Sequence, residues 1–177
     1  MKKIFAAAIA LGLVFTACNS EKKKDGDDKD KMESSGTSQQ EKNKQTALAS
    51  VNAMIAGDVD ATLKDVTQDG VEYGDGSMAP VKGKDSIIVM LRSWRGALSD
   101  YKADNLWAMA DGDNVAVFGD WTATFKTDFM GMPTTGKTIK IKDVDIFKFN
   151  SDGKITEHRN IQSSAEMMKQ LGIAAQK

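Results

Sequence analysis

One cysteine, one histidine and two prolines are all that the 177 residues contain. A single Cys forbids an intrachain disulfide and any cysteine-based metal site, and one His with scattered acids lacks the ligand spacing of a zinc centre. No metal and no cofactor is therefore expected. The chain also lacks a long apolar run. Its N-terminal one, Ile4 to Phe15, is a dozen residues, short of the roughly 20 that span a bilayer. Neither charge sign dominates: 24 basic residues face 25 acidic ones, for a formal net charge of −1. A nucleic-acid surface needs a basic stripe interleaved with aromatics, and none is present. No glycine-rich phosphate cradle joins a strand to a helix.

What is present starts with an export signal. Lys2 and Lys3, the apolar run, and the small pair Thr16-Ala17 stand in that order before Cys18. Phe15-Thr16-Ala17-Cys18 resembles a lipobox, with Phe15 where Leu, Val or Ile is usual. The resemblance implies cleavage of residues 1–17, a lipid on Cys18 that contacts the membrane and, because Asn19 rather than Asp follows, a place on the outer membrane of the cell envelope. Cleavage would remove two lysines and no acid, taking the net charge from −1 to −3. Between residues 19 and 44 the only apolar side chain is Met32. Such a segment cannot bury enough surface to offset its ordering entropy. Residues 18–44 are expected to be a lipidated Cys and a disordered stalk, and 45–177 the folded domain.

From Gln45 the hydrophobic spacing becomes helical. Leu48, Val51, Met54 and Ile55 share a face, Gly57 ends that helix, and Asp58 can cap a short second one. Val71-Glu72-Tyr73 reads as a short strand. Ile87, Leu91, Trp94 and Leu98 mark a third helix. After Asp100 the period becomes two, and strands are expected over 101–110, 114–126, 138–150 and 155–162. In the third of these, Ile139 and Ile141 take one parity and Val144 and Ile146 the other, so a β-bulge is expected near Lys142–Asp145. Ser163-x-x-Glu166 is a capping box for a last helix, which Gly172 stops. There is no alternation of strand and helix, so the fold class is α+β, with a curved antiparallel sheet wrapped around the N-terminal helices.

Asp145-Ile146-Phe147-Lys148-Phe149, Asp152-Gly153-Lys154-Ile155, Glu157-His158 and Gln170-Leu171-Gly172, with Gly57-Asp58-Val59-Asp60 and Gly112-Asp113-Asn114-Val115 upstream, resemble SnoaL-like domains of the nuclear-transport-factor-2-like superfamily, over roughly Gln45 to Gly172. The resemblance implies a cone-shaped, cystatin-like α+β barrel with a pocket between sheet and helices, and a homodimer through the sheet. It does not choose among cyclases, isomerases, hydratases and members without chemistry. In enzymatic members the last strand carries an acid after the Glu-His pair. Here that position holds Asn160, which cannot exchange a proton but can orient a ligand.

Strand alternation puts Thr156, His158, Asn160 and Gln162 on one face and Glu157 and Arg159 on the other. If the first set faces the cone, His158 and an acid such as Asp145 or its neighbour Asp143 could move protons; a carboxylate aimed into an apolar cone has a raised pKa. Tyr73, Trp94, Trp107, Trp121 and Phe147, with Asn160 and Gln162, are expected to line the pocket. Two readings stand. The missing acid favours a lipoprotein whose cone binds a small, mostly apolar ligand or a protein without catalysis. The alternative is a proton-transfer enzyme of the cyclase, isomerase or hydratase type using His158 and Asp145.

Overall fold

The computed structural model describes residues 27–128 and 136–173. The export signal, Cys18 and the Met130–Pro133 loop lie outside the described residues. No described helix is long and apolar enough to cross a membrane.

Four helices and six strands follow one another as α1 (Asp27–Ala56), α2 (Val59–Thr62), β1 (Val66–Glu72), β2 (Val81–Lys82), α3 (Lys84–Gly96), β3 (Leu98–Asp111), β4 (Asn114–Phe125), β5 (Thr138–Phe149), β6 (Ile155–Gln162) and α4 (Ser164–Leu171). The strands form one sheet in the order β2-β1-β6-β5-β4-β3. Both edge strands are unpaired on their outer sides, so the sheet curves without closing into a barrel. One pair departs from the antiparallel expectation: β1 runs parallel to β6. The long connection between them, through β2, α3 and strands β3 to β5, makes that pairing possible.

α1 begins well before Gln45. Asn43 is 2% exposed and accepts a 2.9 Å hydrogen bond from Gln39. Gln39 also packs on the β5–β6 hairpin, where a Cβ at Gly153 would come within 2.8 Å of its amide nitrogen. This part of the expected stalk is therefore helical and docked, held by polar side chains that a hydropathy reading scores as solvent-facing. Further along, Ala47 and Val51 bury against Val115, Val117, Phe147, Phe149 and Ile155, the main core. A second core at the other end joins Leu98, Phe125 and Ile139 to Met167 and Leu171 of α4. Asp58 caps α2 through the Ala61 amide, and Ser163 caps α4 through that of Glu166. Gly83 occupies the N-cap of α3, without a side-chain capping hydrogen bond.

The bulge expected in β5 is absent. β4 and β5 pair without a shift from Asn114↔Lys148 to Thr124↔Thr138, so residues 139, 141, 143, 145, 147 and 149 all face inward. The break in the hydrophobic pattern has another cause: two inward positions are filled by aspartates. The irregularities lie elsewhere. β6 carries one extra residue, Thr156, between the pairs Phe149↔Ile155 and Lys148↔Glu157. β3 carries two, with register shifts at Ser99/Lys102 and Asp104/Trp107. At those points Asp100 and Asn105 adopt φ of 52° and 56°, a conformation these short polar side chains tolerate. Bulges increase local twist and bend the strand, which fits an edge strand that wraps around the helices.

Candidate functional site

Regular β5 aims Asp143 and Asp145 inward side by side, while the bulge at Thr156 turns both Ile155 and His158 to the same face. In register, Asp145 lies opposite Asn160, Asp143 opposite Gln162, and Phe147 opposite His158. The parallel partner β1 places Glu72 opposite His158. They come from three strands, with Glu72 lying 86 residues before His158 in sequence, yet they form one polar patch on the inner face of the sheet.

His158 is its centre. Its Nδ1 lies 2.7 Å from Glu72 Oε2 and its Nε2 3.2 Å from Asp145 Oδ1. The ring rests on Phe147, centroids 4.7 Å apart. Glu72 is fixed in turn by the Gly74 amide, which donates to Oε1 at 2.8 Å. Burial alone would depress the imidazole, but the Glu72 charge and the hydrogen bonds and charge of Asp145 override it and raise its pKa to about 10. At neutral pH the ring is therefore an imidazolium clamped between two carboxylates, and it is unavailable as a base.

Asp143 is the group poised to exchange a proton. It accepts hydrogen bonds from the Val144 amide at 2.7 Å and from Asn160 Nδ2 at 3.3 Å. Desolvation, then repulsion from Asp145, push its carboxyl up to about 6, against the smaller opposing effects of Val144, Asn160 and His158. Next to it stands Tyr101, whose phenol burial and the nearby Asp145 and Asp143 hold well above its usual pKa. Tyr101 stacks on Trp121 at 5.4 Å and meets Trp94 edge-on at 5.0 Å. Arg95 lies 5.5 Å over its ring.

Of the expected site residues, His158, Asp145, Asn160, Gln162, Trp121 and Phe147 share this inner face, with Phe147 as buried floor, and Trp94 of α3 meets it through Tyr101. Two do not. Trp107 is 54% exposed and stacks on Phe118 at 4.1 Å on the outer face. Unbroken alternation from Tyr101 would have turned it inward; the extra residue at Asn105 flips it. Tyr73 lies under Arg159, 4.5 Å from its guanidinium carbon, one residue past inward-facing Glu72 and so on the opposite side. Glu72 and Tyr101 were not singled out from the sequence. Glu72 sits in a three-residue apolar-acid-aromatic run with no periodicity to betray its direction. Among the described residues no group of His, Cys, Asp or Glu has the arrangement of a metal site.

The fold and the family are shown by comparison. The sequence profile of the SnoaL-like polyketide cyclases matches residues 44–171. A candidate polyketide cyclase from Xanthomonas campestris superposes with a TM-score of 0.68 at 19% identity, covering 75% of this chain and 98% of its own. A candidate hydroxylase from Streptomyces galilaeus gives 0.62 at 26% identity, with 75% and 97% covered. An LEH-like epoxide hydrolase from M. tuberculosis gives 0.60 at 19% identity, with 75% and 90% covered. No curated protein matches. The profile match over well more than half of the sequence, on a cone of this topology, means that the chain belongs to the SnoaL-like polyketide cyclase family within the nuclear-transport-factor-2-like superfamily.

Proposed function

We propose that this protein is an envelope lipoprotein, held to the outer membrane through Cys18, whose cone is a proton-transfer site with Asp143 as the base. The observation that supports this is the convergence of Asp143, Asp145, His158, Glu72 and Asn160 on one inner face. A carboxyl pKa near 6 leaves Asp143 ionised at neutral pH and more basic than an ordinary Asp, close to the optimum for general base catalysis. The clamped imidazolium supplies a fixed positive charge for an oxyanion that forms beside it, and Asn160 orients both Asp143 and the substrate. The acid that Asn160 replaces on β6 is thus supplied one strand over, on β5.

The test is turnover by the full chain in D2O, followed by proton NMR, with cyclic ketones, β-keto esters and epoxides as the panel. The expected result is catalysed α-proton exchange or ring opening whose rate rises through pH 6 and falls about 10²–10⁴-fold in Asp143→Asn. No catalysis above buffer across the panel would overturn the reading in favour of a cone that binds without chemistry. That second reading draws its support from His158, whose two ring nitrogens are both committed to carboxylates.

A second copy of the chain is proposed as the partner of the outer face. Trp107, Phe118, Val144 and Ile161 lie directly opposite one another across four strands. Trp107 and Ile161 are 54% and 58% exposed, an apolar ladder of the kind that marks an interface.

A further inference from the structure

Among the described residues, the patch around Asp143 is short of positive charge and contains a donor with no partner. Glu72, Asp143 and Asp145 bring three carboxylates together, and the cation among them, His158, spends both ring nitrogens on Glu72 and Asp145. Asp143 is left with the Val144 and Asn160 amides. The next cation, Arg95, is turned to the C-terminus of α1, where its Nε donates to the Met54 carbonyl at 3.3 Å and a terminal nitrogen to that of Ile55 at 3.4 Å.

Trp121 is an independent observation. It is 6% exposed, and its Nε1 is buried with no hydrogen-bond partner among the described residues. Buried indole N–H groups are normally satisfied, so an orphan leaves room for an acceptor from beyond the described residues, such as a ligand. Its direction is known from Gly119: a Cβ there would come 3.2 Å from that nitrogen. Gly119 is the cross-strand neighbour of Asp143. The unpaired donor therefore lies over the residue beside Asp143, on the same inner face.

We propose that this face selects an organic ammonium compound bearing an oxygen acceptor close to its nitrogen, an amino alcohol being the simplest case. The ammonium group rests against Asp143 and Asp145, its oxygen accepts the Trp121 N–H, and its carbon skeleton lies along Tyr101 and Trp94. The proposal rests on this face being the ligand site and narrows a mostly apolar ligand to a cationic one. It also carries a pH dependence. The charged and titratable groups facing Asp143 are Asp145 on its own strand, His158 on β6, Glu72 on β1, Tyr101 on β3 and Arg95 on α3. β4 offers Val117, Gly119 and Trp121, α1 its apolar face, and the Glu166–Lys169 pair of α4 is exposed and 3.9 Å apart. Of the facing groups, Asp143 titrates near 6, so affinity for an ammonium weakens as the pH falls through that value.

The test is calorimetric titration of the full chain with trans-2-aminocyclohexanol, its neutral isostere trans-1,2-cyclohexanediol, and cyclohexylamine, which lacks the oxygen. At pH 7.5 the amino alcohol is expected to bind at least tenfold more tightly than the diol and severalfold more tightly than the amine. The preference over the diol should shrink at pH 5 and vanish in Asp143→Asn. Equal binding of amino alcohol and diol, a preference that survives in Asp143→Asn, or no binding of either would overturn the proposal. The wild-type comparison at two pH values stands even if the variant fails to fold. Turnover of neutral ketones or epoxides without any ammonium preference would sink this inference and leave the proton-transfer reading standing.

Discussion

His158 owes its charge to two side chains from distant strands, and that arrangement can be tested on stability. Replacing it by Gln leaves Glu72 and Asp145 crowded without their cation, and breaking a buried pair on one side costs about 3 kcal/mol or more. Denaturant titration should show that loss, and the double variant His158→Gln with Glu72→Gln should recover part of it. Because the folded imidazole titrates near 10 and an unfolded one near 6.5, its contribution is complete below about 6.5, declines above that value and is gone beyond about 10. Asp143 works in the opposite sense. Its carboxyl is raised to about 6 from an ordinary value near 3.8, so the native state takes up its proton first as pH falls, and stability from this residue increases on acidification through 6. Asp143→Asn should therefore stabilise the fold at pH 7.5 by up to about 3 kcal/mol, and most of the difference from wild type should be lost near pH 4.

Among the elements, β3 and β4 show how small departures decide what a strand presents. β3 fits two extra residues against β4, and the one at Asn105 sends Trp107 to the outside. β4 needs Gly119 where the Trp121 indole lies flat. A Cβ there would meet Leu106 Cδ2 at 2.9 Å and the indole nitrogen at 3.2 Å. The Leu end can move and the indole, stacked on Tyr101, cannot easily do so. Gly119→Ala should cost about 1–3 kcal/mol and shift the Trp121 fluorescence. A Tm and spectrum identical to wild type would show that the indole is not held as described. β6 makes the complementary point: without the extra Thr156, either Ile155 would leave the core or His158 would leave the site.

For the whole molecule, the sheet separates two chemically distinct surfaces. The inner face holds the polar patch, and the outer one the ladder of Trp107, Phe118, Val144 and Ile161. If a second copy covers that ladder, Trp107→Lys should convert a dimer to a monomer in light-scattering chromatography while leaving ligand binding on the inner face unchanged. A wild-type chain that is monomeric at high micromolar concentration would end the dimer proposal. Tethering has its own check. Cys18→Ser should lose lipid labelling and move from the membrane to the soluble fraction, and unchanged membrane retention would count against the anchor.

The sequence by itself determined the fold class and the order of the elements apart from the two-residue β2, because hydrophobic periodicity of 3.6 and then 2 needs no tertiary information to be read. It also put His158 and Asn160 together, since polar residues at alternating positions of one strand share a face, and it singled out Asp145 beside the bulge expected in the preceding strand. Tertiary structure decided the rest. Parity survives only until a bulge, so Trp107 was read the wrong way, and the aspartates at two inward positions of the regular β5 were mistaken for a bulge. The docking of α1 through Gln39 and Asn43 depends on a hairpin more than 100 residues away, and hydropathy does not record the space it leaves. Glu72 reaches His158 only because β1 pairs parallel to β6, a pairing between segments 86 residues apart that no local pattern encodes.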